Sequence, residues 1–287
     1  MKKLLIVVGV ILIGIAFWYF INKKQGQVGQ AEEKNELELA ENENIKEDTS
    51  INTKPIKEEL VLTEDLVIPK VEDNDLIIKR IAYTLSFNEE HEQAEWVAYT
   101  LSKSEVMGDA KRKDNFKADG DINSGSASLG DYKRSGYDRG HLAPAADMSK
   151  SQRIMDESFY MSNMSPQTPS FNRGIWKKLE EQVRDWTLED TLLYVVTGPV
   201  LRDGLPTIGD NEVSVPEYYY KVIADFSEPE LKCIAFLMPN EKSKESIYNY
   251  VVSIDSLEKV TGLDFYPMLP DPIENSLEQS TSWVEWE

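Results

Sequence analysis

Tyr137-Asp138-Arg139-Gly140-His141-Leu142 opens the stretch on which the reading of this chain turns; Ser162-Asn163-Met164-Ser165-Pro166-Gln167 follows, and then Phe171-Asn172-Arg173-Gly174-Ile175-Trp176-Lys177-Lys178-Leu179-Glu180. The third segment has the clearest local signal. Phe171, Ile175, Leu179 and Val183 recur every four residues with charges between them. Such a stripe predicts an amphipathic helix over 170–186, with Ser170 placed to cap its start. Together the three segments gather a histidine, arginines, an asparagine and a glutamate where one catalytic site could use them all.

That set suits phosphodiester hydrolysis, which needs a nucleophile, charge neutralisation on the phosphoryl oxygens and help for the departing oxyanion. His141 is one of two histidines, and imidazole is the side chain best poised near neutral pH to take a proton from water. Asn172 offers a neutral oxygen, and magnesium keeps several waters, so it needs few protein ligands beside a substrate phosphate. Glu180 lies about 80° round an ideal helix and about 12 Å along it from Asn172. It is therefore expected to hold water or fix a neighbour rather than ligate the same ion. Arg139 and Arg112 offer guanidinium groups, whose paired donors match phosphate oxygens. Asn163 is placed to hydrogen-bond a loop or an ion's water. Asp138 is expected to order its own turn, and His91, among Glu89, Glu90, Glu92 and Glu95, to lie at the surface. No zinc-ligand pattern accompanies either histidine.

The 287 residues suffice for one catalytic domain plus extensions. The net charge of -20 argues against an anionic partner, but its distribution does not. Between Lys103 and Lys178 there are 13 Lys+Arg against 10 Asp+Glu, whereas Ala31 to Leu76 holds 15 acidic and 5 basic residues. The candidate site is thus a basic island in an acidic chain. The single cysteine, Cys233, excludes an intrachain disulfide and sits in an apolar run that reads as a buried strand.

Lysines precede and follow 18 apolar or glycine residues, Leu4 to Ile21. At 1.5 Å rise this run spans about 27 Å, enough for a thin hydrocarbon core, and it ends in Phe17-Trp18-Tyr19-Phe20, as an interfacial belt would. Residues 1–24 are accordingly expected to be a membrane anchor, with a cleaved signal segment as the alternative. Residues 25–75, rich in Glu, Asn, Gln and Lys, read as an acidic flexible tether. The expected location is membrane-anchored with the catalytic domain outside the cytoplasm, periplasmic or extracellular, or secreted if the segment is cleaved.

The folded domain is expected over 76–287. Ala82–Ser86 and its echo Ala98–Ser102 flank a polar connection and read as paired strands. Asp119 to Asp131 is loop-like, and Ser151–Tyr160 a short helix. Leu192–Val200, Tyr218–Asp225 and Leu231–Met238 read as strands; Ser243–Ser253 and Ile254–Thr261 read as helices. Strands and helices without a βαβ rhythm indicate an α+β fold, an antiparallel central sheet flanked by helices.

Tyr-Asp-Arg-Gly-His-Leu-Ala-Pro-Ala-Ala-Asp at 137–147, the Ser-Asn-Met-Ser-Pro-Gln loop and Phe-Asn-Arg-Gly-Ile-Trp-Lys-Lys-Leu-Glu resemble the DNA/RNA non-specific endonucleases, the Serratia nuclease and mitochondrial endonuclease G type, with a ββα-metal (His-Me finger) site. Residues 88–99, Val215–Lys221 and Thr261–Phe265 also resemble segments of that family, so the similarity covers about residues 78 to 272. The resemblance implies His141 as general base, Asn172 as the protein ligand of Mg²⁺ (Mn²⁺ as substitute) and Glu180 as the holder of metal-bound water. It implies Asn163 in support of that water, Arg139 beside the base and, across a small gap, Arg112 on the phosphate. Secreted family members often carry disulfides, which this chain lacks.

The partners so expected are the DNA and RNA backbone, a membrane through the N-terminal segment, and a second copy of the chain as a homodimer. A non-catalytic nucleic-acid-binding or adhesion domain on the same scaffold, and a narrower phosphodiesterase acting on small nucleotides, are the rival readings.

Overall fold

The structure is a computed structural model that describes residues 63–189, 192–227 and 231–286. In chain order the strands are β1 (Leu76–Lys79), β2 (Thr84–Asn88), β3 (Gln93–Ser102), β4 (Asp138–His141), β5 (Met164–Gln167), β6 (Leu192–Pro199), β7 (Thr207–Ile208), β8 (Val213–Ser214), β9 (Tyr218–Asp225), β10 (Lys232–Pro239) and β11 (Val251–Val252). The longer α-helices are α1 (Gln152–Glu157), α2 (Lys177–Glu189), α3 (Ile254–Thr261) and α4 (Asp271–Glu278). Seven strands form one antiparallel sheet in the order β1-β2-β3-β6-β9-β10-β11, while β4-β5 and β7-β8 are separate two-stranded pairs. This is the α+β fold with an antiparallel central sheet.

Both faces of the sheet are covered, which is why its central strands are apolar almost throughout. On one face Tyr99, Val195, Tyr219, Ile223 and Phe236 pack with Leu179, Val183 and Trp186 of α2. On the other, Trp96, Val196, Val222 and Ala235 pack with Ile254 and Leu257 of α3 and Leu277 of α4. Cys233 is buried on this second face.

The echoed strands pair as expected, Thr84 opposite Ala98. α3 spans the expected residues, with Ser253 accepting from Ser256 N at its start and left-handed Gly262 at its end. Ser243–Ser253 is not a helix. A 3-10 turn at Ile247–Tyr250 is capped by Ser246, and Val251-Val252 then joins the sheet edge opposite Phe236 and Ala235; β-branched side chains favour that strand.

Among the described residues, elements upstream of Leu76 also pack on the sheet. Glu64–Val67 form a 3-10 turn, Leu66 and Val67 are buried on the α3 face, and Lys70 N donates to Asp264 O. The anchor at 1–24 and most of the tether lie outside the described residues. Among the described residues no helix is long and apolar enough to cross a membrane, so the membrane-anchored placement outside the cytoplasm is withdrawn.

Gly198 in β6 is tightly enclosed: a Cβ there would lie 2.1 Å from Glu95 O and 2.5 Å from Tyr220 Oη. Gly198→Ala is expected to cost about 1–3 kcal/mol through backbone displacement, read as a lower urea midpoint. Adding Tyr220→Phe should not restore it, because the Glu95 carbonyl remains.

Candidate active site

β4 and β5 run antiparallel, with Arg139 opposite Pro166, Gly140 opposite Ser165 and His141 opposite Met164. Gly140 leaves room for the buried Gln167 side chain, since a Cβ there would lie 2.2 Å from Gln167 Cδ and force it to move. The pair is fastened to the main sheet through buried polar groups. Ser165 Oγ donates to Gln93 Oε1, and Tyr219 OH donates to Pro166 O. Gln93 Nε2 donates in turn to the carbonyls of His91 and Ser214. His91, expected at the surface, is buried with Nδ1 2.8 Å from Ser214 Oγ; it belongs to this fastening.

Asn163 is wholly buried and does not reach the cleft described below. Its Oδ1 accepts from Ala143 N at 2.9 Å, and its Nδ2 donates to Ala143 O at 3.0 Å and Ser158 O at 2.8 Å. With both ends of the amide spent on backbone, it clamps the loop after His141 onto the end of α1.

The helix after β5 begins at Pro169, with Thr168 rather than Ser170 in the cap position. It then widens into a π turn over Asn172–Trp176, where Gly174 leaves helical geometry (φ -112, ψ -111), before α2 continues. A π turn accommodates one extra residue, which removes about 100° of rotation. Three steps of four residues drift by about 120° on a straight helix; the extra residue cancels most of it, so Phe171, Ile175, Leu179 and Val183 all point into the core. The same shift removes the roughly 80° offset between Asn172 and Glu180, and both line one cleft.

That cleft, about 750 Å³, is also lined by Arg112, Asp114, Phe116, Asp138, Arg139, His141, Arg173, Lys177 and Arg184. Its five cationic side chains (Arg112, Arg139, Arg173, Lys177, Arg184) outnumber its three carboxylates (Asp114, Asp138, Glu180), so the basic island of the sequence becomes a basic cleft. Asp138 does more than order its turn. Its carboxylate accepts from Asn172 Nδ2 at 3.0 Å and from Arg173 Nε and Nη2 at 2.8 and 2.6 Å. Because the Asn172 amide nitrogen is committed to Asp138, its oxygen is the end left for a ligand.

His141 is held edge-on to Phe159, with ring centroids 4.9 Å apart, and its buried Nε2 has no hydrogen-bond partner. Burial, reinforced by the Arg112 and Arg139 charges, pushes its pKa down to about 3. It is a neutral imidazole at physiological pH. The Arg139 guanidinium lies 4.3 Å over the Phe116 ring, and its Nε has no partner. Arg112 is more exposed, paired with Asp114 at 2.7 Å and 5.3 Å over the Phe159 ring. Burial raises Glu180 well above the usual carboxylate range against the pull of Lys221, Arg184 and Arg112.

Residues 67–271 match the family described as DNA/RNA non-specific endonuclease. The chain belongs to that family. It is 36% identical over 218 residues to a nuclease of Nostoc sp., covering 72% of this chain and 78% of that protein. It is 35% identical over 203 residues to human mitochondrial endonuclease G, covering 66% of this chain and 68% of that protein. The crystal structure of an EndoG/EndoGI complex superposes with a TM-score of 0.67 at 32% identity, covering 72% of this chain and 91% of that one.

Membership makes this chain one of a family of nucleic-acid-hydrolysing enzymes. Neither of the other expected partners, a membrane and a second copy of the chain, gains support from these relatives, one of which is named as mitochondrial. Within this endonuclease fold, His141, Arg139, Arg112, Asn172 and Glu180 converge on the cleft, and Asn163 does not. Sequence reasoning missed Arg184, whose Nη1 donates to Asp147 Oδ1 at 2.8 Å while Tyr99 OH donates to Oδ2 at 2.8 Å. The signal was available: Arg184 follows Glu180 by four residues and therefore shares its helix face. It also missed Lys221, buried on β9.

The low pKa of His141 has a stability consequence. Between about 3 and 6.5 the unfolded chain binds a proton at this residue that the folded chain refuses, so stability contributed by neutral His141 is lost as pH falls through that window. In chelator, His141→Asn should flatten the dependence of the urea midpoint on pH between those limits.

Proposed function

We propose that this chain is a Mg²⁺-dependent, sugar-non-specific endonuclease that hydrolyses phosphodiester bonds of DNA and RNA with little sequence preference, with His141 as general base and 5′-phosphate products. The observation that carries this reading is the His141 imidazole, neutral and with its buried Nε2 free of any hydrogen-bond partner, lining the same cleft as Asn172.

The donor set fits a hard divalent cation. Asn172 presents an amide oxygen because its nitrogen is held by Asp138, and the burial that disfavours the Glu180 carboxylate would be offset by a nearby positive charge. Oxygen ligands with retained water are what Mg²⁺ takes, and Mn²⁺ accepts the same ligands. When bound, the ion would supply charge neutralisation to the scissile phosphate and its leaving oxygen.

His141, neutral over the physiological range, takes a proton from the water that attacks phosphorus in line. Two walls of Phe159 and Phe116 around the imidazole keep it desolvated and fixed in direction. Arg139 and Arg112 stabilise charge on the phosphoryl oxygens. Glu180 orders water at the cleft floor, and Asn163 and Asp138 hold the reacting groups in place from behind. Five cations along an open cleft suit a backbone rather than a base sequence, so binding should weaken steeply as salt rises.

His141→Ala should lower plasmid-DNA and RNA cleavage on the order of 10²- to 10⁴-fold, and chelator should abolish the wild-type activity. Equal cleavage by wild type and His141→Ala would instead favour the non-catalytic binding domain, and cleavage of a dinucleotide ester but not of long DNA the narrower phosphodiesterase. Asp138→Ala, which frees the Asn172 amide to rotate, should cost roughly 10- to 100-fold in kcat and raise the Mg²⁺ concentration needed for half-maximal rate.

A further inference from the structure

Lys221 is wholly buried in β9, a strand flanked on both sides in the sheet, opposite Thr197 of β6 and Phe236 of β10. Its Nζ has no hydrogen-bond partner and lies 5.0 Å over the Trp176 ring. Trp176 is the last residue of the π turn that begins with Asn172. An ammonium without partners in a sheet interior is costly to keep, and a methionine would fill the same space without that cost.

Trp176, over whose ring the ammonium lies, precedes Glu180 by four residues, which brings Lys221 to the side of the helix that carries Glu180. Glu180 is the strongest of the lysine's neighbours and attracts it, Asp147 attracts it more weakly, and Arg184 repels it. Glu180 in turn feels Lys221 more strongly than any other charge. Asp147 already has Arg184 and Tyr99 as hydrogen-bond partners, which leaves Glu180 as the carboxylate that depends on this lysine.

We propose that Lys221 is a positioning residue for the hydrolytic reaction: from beneath the cleft floor it acts as the fixed counter-charge that keeps the half-buried Glu180 an oriented carboxylate facing the substrate. Lys221 touches no substrate. Its effect passes through Glu180 and, by the Trp176 contact, through the base of the Asn172 turn. The inference rests on the nuclease reading above, in which Glu180 belongs to the reacting groups.

The test is a double-mutant cycle on plasmid hydrolysis with the full chain, using Lys221→Met, Glu180→Gln and the combination, beside thermal unfolding of each. Lys221→Met is expected to lower kcat about tenfold or more with KM little changed and with a melting temperature equal to or above wild type. In the Glu180→Gln background the same substitution should have no further effect on kcat, since a group acting through Glu180 has nothing left to act on. Multiplicative losses in the double variant, or full activity in Lys221→Met, would overturn the proposal. If Lys221→Met does not fold, Lys221→Arg and Lys221→Gln replace it: charge retained should preserve kcat and charge removed should lower it, and equal rates in the two would overturn the proposal. Full activity in Glu180→Gln would show that the underlying assignment of Glu180 has failed, which is a different result from failure of Lys221 alone.

Discussion

The site depends on one set of hydrogen bonds, those from Asn172 and Arg173 to the Asp138 carboxylate. They join the first strand of the β4-β5 pair to the first turn of the helix that follows β5, across 34 residues of chain in the case of Asn172. A carboxylate accepting from an amide and bidentately from a guanidinium fixes direction as well as distance. The Asn172 oxygen and the imidazole of His141, three residues beyond Asp138, are thereby turned toward the same cleft.

Around that bridge the protein uses buried polar groups as fasteners. Asn163 spends its whole amide on the His141 loop, and the Ser165, Tyr219 and Gln93 side chains tie β5 to the central sheet. None of these side chains lines the cleft, yet each is far from water, where an unmet hydrogen bond costs more than a made one returns. Loss of any one would loosen the hairpin rather than remove a reacting group.

Electrostatics then separate the ionisable groups by task. His141 is kept neutral by burial beside two arginines, which favours proton acceptance in the resting state, while burial of the Glu180 carboxylate is opposed most strongly by the charge of Lys221. The acidic character of the chain as a whole does not reach the cleft, where Arg112, Arg139, Arg173, Lys177 and Arg184 set the sign. A phosphate backbone meets the local field, which screening confines to roughly the nearest 10 Å.

Residue types and their spacing determined a good deal on their own. The strands around 84–102, 192–199, 218–225 and 232–239 and the helix at 254–261 follow from local periodicity and capping, which act over a few residues. That His141, Asn172, Glu180 and the arginines serve one site was an expectation of the family resemblance, since the local helical pattern set Glu180 well round from Asn172. Local pattern misplaced residues 243–253, where a sheet edge recruits Val251-Val252, and His91 and Asp138, whose partners are Ser214 and Asn172, far along the chain. Only the tertiary structure decided these, along with the π turn that aligns Glu180 with Asn172 and the burial of Lys221 under the site. The physical reason is that a side chain's partner, burial and charge environment depend on which distant segments are packed against it, and no local pattern of residues encodes that.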